Sequence, residues 1–223
     1  MRNEHRRIDL KVLYFGTPVI LLSTENPDGT TNLAPMSSAW WLGDTAVIGM
    51  GNRSQTAVNL HRTRRCVLNL VPSGLVAAVD RLAMTTGRSP VPDTKSAQGY
   101  RHVHDKFTAA GLTPRPSTEV AAAAVAECPI LLETALVAAH SLSGPGATAF
   151  ELRVLAAHAD PDLVIPGTRH IDPVAWDPLI MKFTEYFGGG TSLHASRLSE
   201  SWRMPHRLTG DHAGSPGLTS PVS

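Results

Sequence analysis

Short apolar segments separated by turn-forming residues fill the first seventy positions of the chain. Residues 17–24 contain the run Val19-Ile20-Leu21-Leu22 and lead into Asn26-Pro27-Asp28-Gly29. An Asp-Gly pair suits a tight turn because glycine tolerates positive φ. Residues 45–50 and 66–71 are similar runs, rich in Val, Ile and Leu and bounded by Pro, Gly, Asp or Asn. The pattern predicts short strands joined by turns, as in a β-barrel.

Helices are predicted in a few places between these strands. Residues 54–63 form the first, with Ser54 as an N-cap whose oxygen accepts an orphan backbone N–H. Residues 74–83 form the second, with apolar residues at helical spacing and Ser73 as its cap. A short third helix is expected over residues 102–110.

The second half of the chain predicts a long strand pair. Residues 130–140 and 149–158 flank the turn Ser143-Gly144-Pro145-Gly146. The alanine run 121–124 favours a helix by propensity alone. The segment after it, residues 127–133, is nevertheless expected to be a strand.

Composition indicates one globular domain. The chain has 223 residues, of which 42% are hydrophobic and 17% charged, with a net charge of +1. We expect one domain over residues 1–206 and a disordered tail over 207–223, where Gly, Ser and Pro dominate. The polar stretch 85–118, called here the excursion segment, is predicted to be a lid or a dimer-contact element.

Charge, cysteine content and the N-terminus restrict the partners and the compartment. Twenty basic residues are balanced by nineteen acidic ones, so the sequence lacks the excess positive charge typical of nucleic-acid-binding proteins. No apolar run is long enough to span a membrane. The early sequence has no signal-peptide core, and two isolated cysteines, Cys66 and Cys128, fit a reducing compartment, so a cytoplasmic protein is expected.

Two polar segments follow predicted strands and are the candidate binding loops. Residues 32–38 read Asn-Leu-Ala-Pro-Met-Ser-Ser, and residues 51–56 read Gly-Asn-Arg-Ser-Gln-Thr at a helix start. Hydroxyls, backbone N–H groups and one Arg at such a start can hold a phosphate. The alternatives are an edge strand interrupted by Pro35 and a plain strand-to-helix turn.

Together with later segments, these residues resemble the flavin reductase-like, FMN-binding split-barrel family. The later matches are Asp105-Lys106-Phe107, residues 110–113, 126–133 and 150–158, Ile171-Asp172 and Tyr186-Phe187-Gly188. The resemblance spans roughly residues 10 to 206 and implies a mainly β fold with short helices, an antiparallel Greek-key split β-barrel. It also implies a homodimer that binds FMN and uses NAD(P)H as cosubstrate.

The resemblance further implies which residues bind the cofactor. The Ser37 and Ser38 hydroxyls and the Ala39 backbone would lie along the isoalloxazine edge. Ser54, Thr56 and the cation Arg53 would hold the phosphate, although family members often carry Lys in this loop. The full expected set is Asn32, Pro35, Met36, Ser37, Ser38, Ala39, Gly51, Asn52, Arg53, Ser54, Thr56, Asn59 and Tyr186. Tyr186 is expected either to pack in the core or to form an aromatic wall.

Other site types are not supported by the sequence. The histidines lack metal-ligand spacing, and neither a Rossmann nor a nucleophile-elbow motif occurs. Gly210-Asp211-His212 resembles a nicotinamide motif of the family, but it lies in the expected tail and is interpreted as chance. The predicted function is an FMN-dependent oxidoreductase taking hydride from NAD(P)H and passing electrons to a second acceptor. The alternatives are an FMN enzyme acting on a specific organic substrate and a non-catalytic electron-transfer flavoprotein.

Overall fold

The computed structural model describes residues 5–144, 146–194, 196 and 198. Its strands are β1 Phe15–Pro18, β2 Ile20–Glu25, β3 Thr31–Met36, β4 Ala39–Leu42, β5 Thr45–Gly51, β6 Arg65–Leu70, β7 Thr85–Thr86, β8 Arg101–His102, β9 Pro114–Arg115, β10 Ala124–Val125, β11 Ile130–Ser141, β12 Ala147–Ala159, β13 Ile180–Lys182 and β14 Glu185–Phe187. Its α-helices are α1 Gln55–Thr63, α2 Val76–Ala83, α3 Asp93–Ser96 and α4 Lys106–Ala110, and short 3-10 turns span Ser73–Leu75 and Pro161–Leu163. The predicted tail and its Gly-Asp-His run lie outside the described residues.

A seven-stranded antiparallel sheet forms the body of the fold, in the order β3-β2-β6-β11-β12-β5-β4. Its two edge strands, β3 and β4, are consecutive in sequence and joined only by Ser37-Ser38. A two-residue link between opposite edges requires the sheet to curl back on itself. Because β3 and β4 do not pair with each other, the barrel stays split at this corner. The mainly β, antiparallel split-barrel prediction is confirmed.

Several local predictions also hold. Gly29 adopts a φ of +82° in the β2–β3 turn. The Ser54 hydroxyl accepts the Ala57 N–H at the start of α1. Residues 32–36, expected as a loop, instead belong to edge strand β3, where Pro35 needs no ladder donor on its open side.

The second helix begins differently from the prediction. Ser73 starts a 3-10 turn, and its hydroxyl donates to the Asp177 carboxylate instead of capping the helix. The third helix is also shorter than expected. His102 is extended and pairs with Thr86, and the helix starts only at Lys106, after the Asp105 cap.

The alanine run 121–124 is not helical, because a carboxylate distant in sequence binds the backbone of the residues just before it. Buried Glu133 accepts backbone N–H groups from Thr118, Glu119 and Val120, which holds the chain in a loop. Strand β11 then begins at Ile130, three residues later than the expected strand, after a turn closed by the Cys128 N–H.

The core consists of two apolar clusters on opposite faces of the sheet. One lies between the sheet and helices α2 and α4 and includes Leu21, Val79, Leu82 and Phe107. The other fills the barrel beneath α1 and includes Leu60 and Phe150. Both cysteines are buried, and burial raises the pKa of each thiol to about 12. In the described part of the chain, no helix reaches the length and apolarity needed to cross a membrane.

Candidate functional site

A cavity of about 360 Å³ opens beside the split corner of the barrel. Its walls come from β3 and the Ser37-Ser38 link, the start of α1, helix α2, the excursion segment and the β13–β14 hairpin. A volume of this size suits a small organic ligand. The sheet topology therefore places a ligand-sized space at the point where the barrel cannot close.

Most of the predicted cofactor-binding residues line this cavity. They are Asn32, Pro35, Met36, Ser37, Ser38, Ser54, Thr56 and Tyr186. Ala39, Gly51, Asn52, Arg53 and Asn59 do not line it. Arg53 is exposed. Their roles as ligands remain predictions, but the structure gives two of them another task.

Asn52 and Asn59 bind protein partners that are distant in sequence. The Asn52 Oδ1 accepts the Thr148 hydroxyl at 2.7 Å, which ties the β5–α1 loop to β12. Asn59 is fully buried and donates to Thr24 Oγ1 at 3.2 Å and Asn26 Oδ1 at 2.8 Å. Both residues therefore support the loops around the cavity without lining it.

Asn59 belongs to a buried hydrogen-bond network that extends to the cavity wall. The asparagine network comprises Thr24, Asn26, Asn32, Gln55, Thr56 and Asn59. Asn32 Nδ2 donates to Thr24 Oγ1 at 3.3 Å and to Thr56 Oγ1 at 3.1 Å. The Thr56 oxygen accepts this bond, and a hydroxyl that accepts can also donate its proton to a ligand in the cavity. The network fixes the positions of polar groups that a ligand would meet.

The excursion segment closes this end of the cavity through Gly87. A Cβ at position 87 would lie 2.5 Å from Asn32 Oδ1 and 3.1 Å from Gln55 Cβ. Only glycine allows this approach. The segment therefore forms one wall of the cavity, and its role as a lid or a dimer contact stays a prediction.

Lys106 is the main site residue that the sequence reasoning missed. It is 3% exposed and lines the cavity, and burial, with a smaller contribution from repulsion by Lys95, lowers its pKa to about 8. The ion pairs found among the described residues involve neither lysine. The sequence did carry a signal, since Lys106 lies between the cap Asp105 and buried Phe107 at a helix start.

Three residues of the small sheet β1-β13-β14 and its approach form an apolar and aromatic wall: Tyr14, Met181 and Tyr186. Tyr186 also packs against the core cluster of α2, as the core-packing alternative predicted, and its role as a wall against a bound ligand stays a prediction. Burial, followed by the Asp80 charge, raises the pKa of its phenol.

Two arginines at the end of α1, Arg62 and Arg64, bind backbone carbonyl groups of the protein itself. Arg62 donates to the Glu25 carbonyl, and Arg64 donates to the Leu136 carbonyl at 2.8 Å. The described residues contain no group of three or more His, Cys, Asp or Glu side chains placed to hold a metal.

The cavity has a distinct electrostatic character. The residues that line it include two lysines, several hydroxyls and no Asp, Glu or His. Such a lining favours an anionic group attached to a flat or apolar body. The described cavity lining contains no carboxylate or imidazole to act as a general base.

A seven-stranded antiparallel split barrel with such a cavity at its open corner is the fold of flavin reductase-like proteins. A family model for the flavin reductase like domain matches residues 12–189, and the chain belongs to this family. It is 36% identical over 197 residues to the uncharacterized protein YdfE of Bacillus subtilis (strain 168), covering 88% of this chain and 95% of YdfE.

Two solved structures illustrate the shared fold. Flavoredoxin of Desulfovibrio vulgaris (Miyazaki F) has a TM-score of 0.72 at 19% identity, covering 88% of this chain and 99% of flavoredoxin. The NADH:FAD oxidoreductase SgcE6 of Streptomyces globisporus C-1027, in complex with NAD and FAD fragments, has a TM-score of 0.57 at 15% identity. The match covers 78% of this chain and 85% of SgcE6.

Proposed function

We propose that this protein is an FMN-dependent oxidoreductase that takes hydride from NAD(P)H and passes the electrons to a second acceptor. The observation that carries the proposal is the cavity itself, which is free of acids and holds the buried cation Lys106 near a hydroxyl-bearing helix start. Membership of the flavin reductase-like family supports it. The name of SgcE6, an NADH:FAD oxidoreductase, agrees with it.

The residues present fit a flavin mononucleotide. Its phosphate would be held by Lys106, the Thr56 hydroxyl and the start of α1, where backbone N–H groups favour an anion. Its ring would lie along Pro35 to Ser38, against the Tyr186 wall. No Gly-rich pyrophosphate cradle accompanies the Lys106 anion site, which favours FMN over FAD.

In this arrangement the bound flavin supplies the redox chemistry. The chain's own residues bind, orient and enclose it. The asparagine network holds Asn32 and Thr56 in place before the ligand arrives. Apolar residues of α2, Val79 and Leu82, exclude water from the same cavity.

A homodimer is part of the proposal. Edge strand β4 pairs with β5 on one side, and it exposes Trp40 (55%) and Leu42 (75%) on the same face of the strand. Large apolar side chains along an open edge mark an interaction surface. Light scattering on the wild type and on Trp40→Glu tests this point. A wild-type monomer would contradict it.

The function is tested by binding and by turnover. Flavin fluorescence titrations with FMN, FAD and riboflavin should give the tightest binding for FMN. Oxidation of NADH and NADPH by the FMN-loaded protein should then proceed with an added electron acceptor. Failure of both FMN and FAD to bind at micromolar concentration would refute the proposal. Oxidation that requires one organic substrate would favour the substrate-specific alternative, and binding without any turnover would favour the electron-transfer alternative.

A further inference from the structure

Lys95 and Tyr100 form a second cationic feature of the cavity, at a shallower level than Lys106. Both belong to the excursion segment, both are half-buried and both line the cavity. The Lys95 ammonium lies 5.0 Å from the centroid of the Tyr100 ring. The ring face attracts the cation and holds it in place.

The positive charge of Lys95 has no acidic partner in the described structure. The ion pairs found there all use other residues. Desolvation lowers the pKa of Lys95, and Lys95 in turn contributes to the lowered pKa of Lys106. Two cations that repel each other in one cavity form a site for more than one negative charge.

The two lysines differ in how far they are buried, and this difference suggests different roles. Lys106 is almost completely enclosed, so an anion that it contacts stays inside the protein. Lys95 is partly open to solvent and lies on a short helix, α3, outside the barrel. A group held by Lys95 can therefore enter and leave while the inner ligand remains.

We propose that Lys95, positioned by Tyr100, recognises the phosphate groups of the exchanging nicotinamide dinucleotide. This inference rests on the proposed function and adds to it the element that captures the cosubstrate. Both NADH and NADPH carry a pyrophosphate, so the element acts on both. The nicotinamide end is then left to reach the inner part of the cavity.

The test compares Lys95→Met with Lys182→Met in the FMN-loaded protein. Lys182 is a matched control, because its ammonium lies 3.6 Å from the Phe187 ring centroid and it does not line the cavity. The hydride donors are NADPH, NADH and the uncharged N-benzyl-1,4-dihydronicotinamide. Lys95→Arg, which retains the charge, serves as the rescue variant.

Lys95→Met should raise KM for both dinucleotides about tenfold, the loss of one charge-assisted contact. Its kcat, its KM for the uncharged donor and its FMN affinity should stay within about twofold of wild type on the same reasoning. Lys95→Arg should restore most of the dinucleotide KM, and Lys182→Met should behave as wild type. Raising the salt concentration should raise the wild-type dinucleotide KM more than that of Lys95→Met.

Three results would overturn the inference while leaving the proposed function intact. They are an unchanged dinucleotide KM, an equal rise for the uncharged donor, and a parallel loss of FMN affinity, which would assign Lys95 to the inner phosphate. A wild-type protein that binds FMN but oxidises none of the three donors refutes the proposed function, and this inference with it.

Discussion

Replacing Lys106 with Met should stabilise the flavin-free protein and weaken its binding of FMN. In the wild type, Lys106 is only 3% exposed and has no ion-pair partner among the described residues. Burying such a charge opposes folding. Methionine has a similar length, lacks the charge and adapts to irregular apolar surroundings.

The size of the effect follows from the pKa. Burial, together with repulsion by Lys95, lowers the pKa of Lys106 from 10.5 to about 8. At about 1.36 kcal/mol per pH unit, the charged form opposes folding by on the order of 3 kcal/mol. Because the folded-state pKa lies below the unfolded one, this penalty is complete below pH 8 and disappears as the pH rises from 8 to 10.5.

The assay is urea unfolding of the flavin-free wild type and Lys106→Met at several pH values. The variant should be more stable at pH 7 by up to about 3 kcal/mol, and the gap should close toward pH 10.5. Groups titrating elsewhere cancel in the comparison. A variant that is less stable than wild type at pH 7 would refute the reasoning, because Lys106 would then have a stabilising partner in the folded protein.

The same variant should lose FMN affinity by about ten- to a hundredfold, since a charge-assisted contact contributes roughly 1.5–3 kcal/mol. Riboflavin, which lacks the phosphate, should bind both proteins alike. In the wild type, FMN affinity should fall above pH 8, where free Lys106 loses its proton. Arg53→Ala is the comparison variant, since Arg53 is exposed and outside the cavity. If Arg53→Ala weakens FMN and Lys106→Met does not, the phosphate binds at Arg53 as the sequence alone predicted.

Three further variants test the walls and supports of the site. Gly87→Ala should destabilise the protein in urea unfolding by roughly 1–3 kcal/mol, because the new Cβ overlaps Asn32; Gly74→Ala, with nothing within 4 Å, is its control, and equal behaviour of the two would count against the close approach. Glu133→Gln should destabilise the protein by about 2 kcal/mol in urea unfolding, since an amide nitrogen would face N–H donors. Burial raises the pKa of Glu133, but hydrogen bonds from the backbone N–H groups of Thr118 and Glu119 lower it by more, so the net pKa is lowered. The stability lost in Glu133→Gln should therefore be complete above pH 4.5 and should become smaller as the pH falls. Ser54→Ala should cost about 1 kcal/mol through loss of the α1 cap, and an unchanged melting temperature would show that the cap is replaced.

Elements decided by local sequence were predictable. The Asp28-Gly29 turn, the apolar strands and the Ser54 cap each depend on residues within a few positions of one another. The alanine run 121–124 failed because its conformation depends on Glu133, whose carboxylate binds three backbone N–H groups of the loop before it. Helix propensity is weak compared with such a buried contact.

The candidate site was predictable only where it depends on residues close together in sequence. Hydroxyls and amides close to a helix start identified several residues that line the cavity. Sequence could not separate residues that face the cavity from residues that support it, because the deciding partners are remote. Asn59 bonds to Thr24, 35 positions away, and Asn52 bonds to Thr148, 96 positions away. Lys106 reaches the same cavity because its helix, α4, packs against α2 and β3.

The polar groups of the cavity fall into two classes with opposite effects on the ligand-free protein. The asparagine network pairs its own amide donors with oxygens of the same network, so it holds Thr56 and Asn32 in position at little cost. The lysines are uncompensated, so they reduce stability until an anion arrives. Ligand binding recovers that free energy as affinity. Riboflavin cannot recover it, because it brings no charge. The ratio of FMN to riboflavin affinity, compared across Lys106→Met and Lys95→Met, therefore shows which cation serves the resident phosphate and which serves the exchanging one.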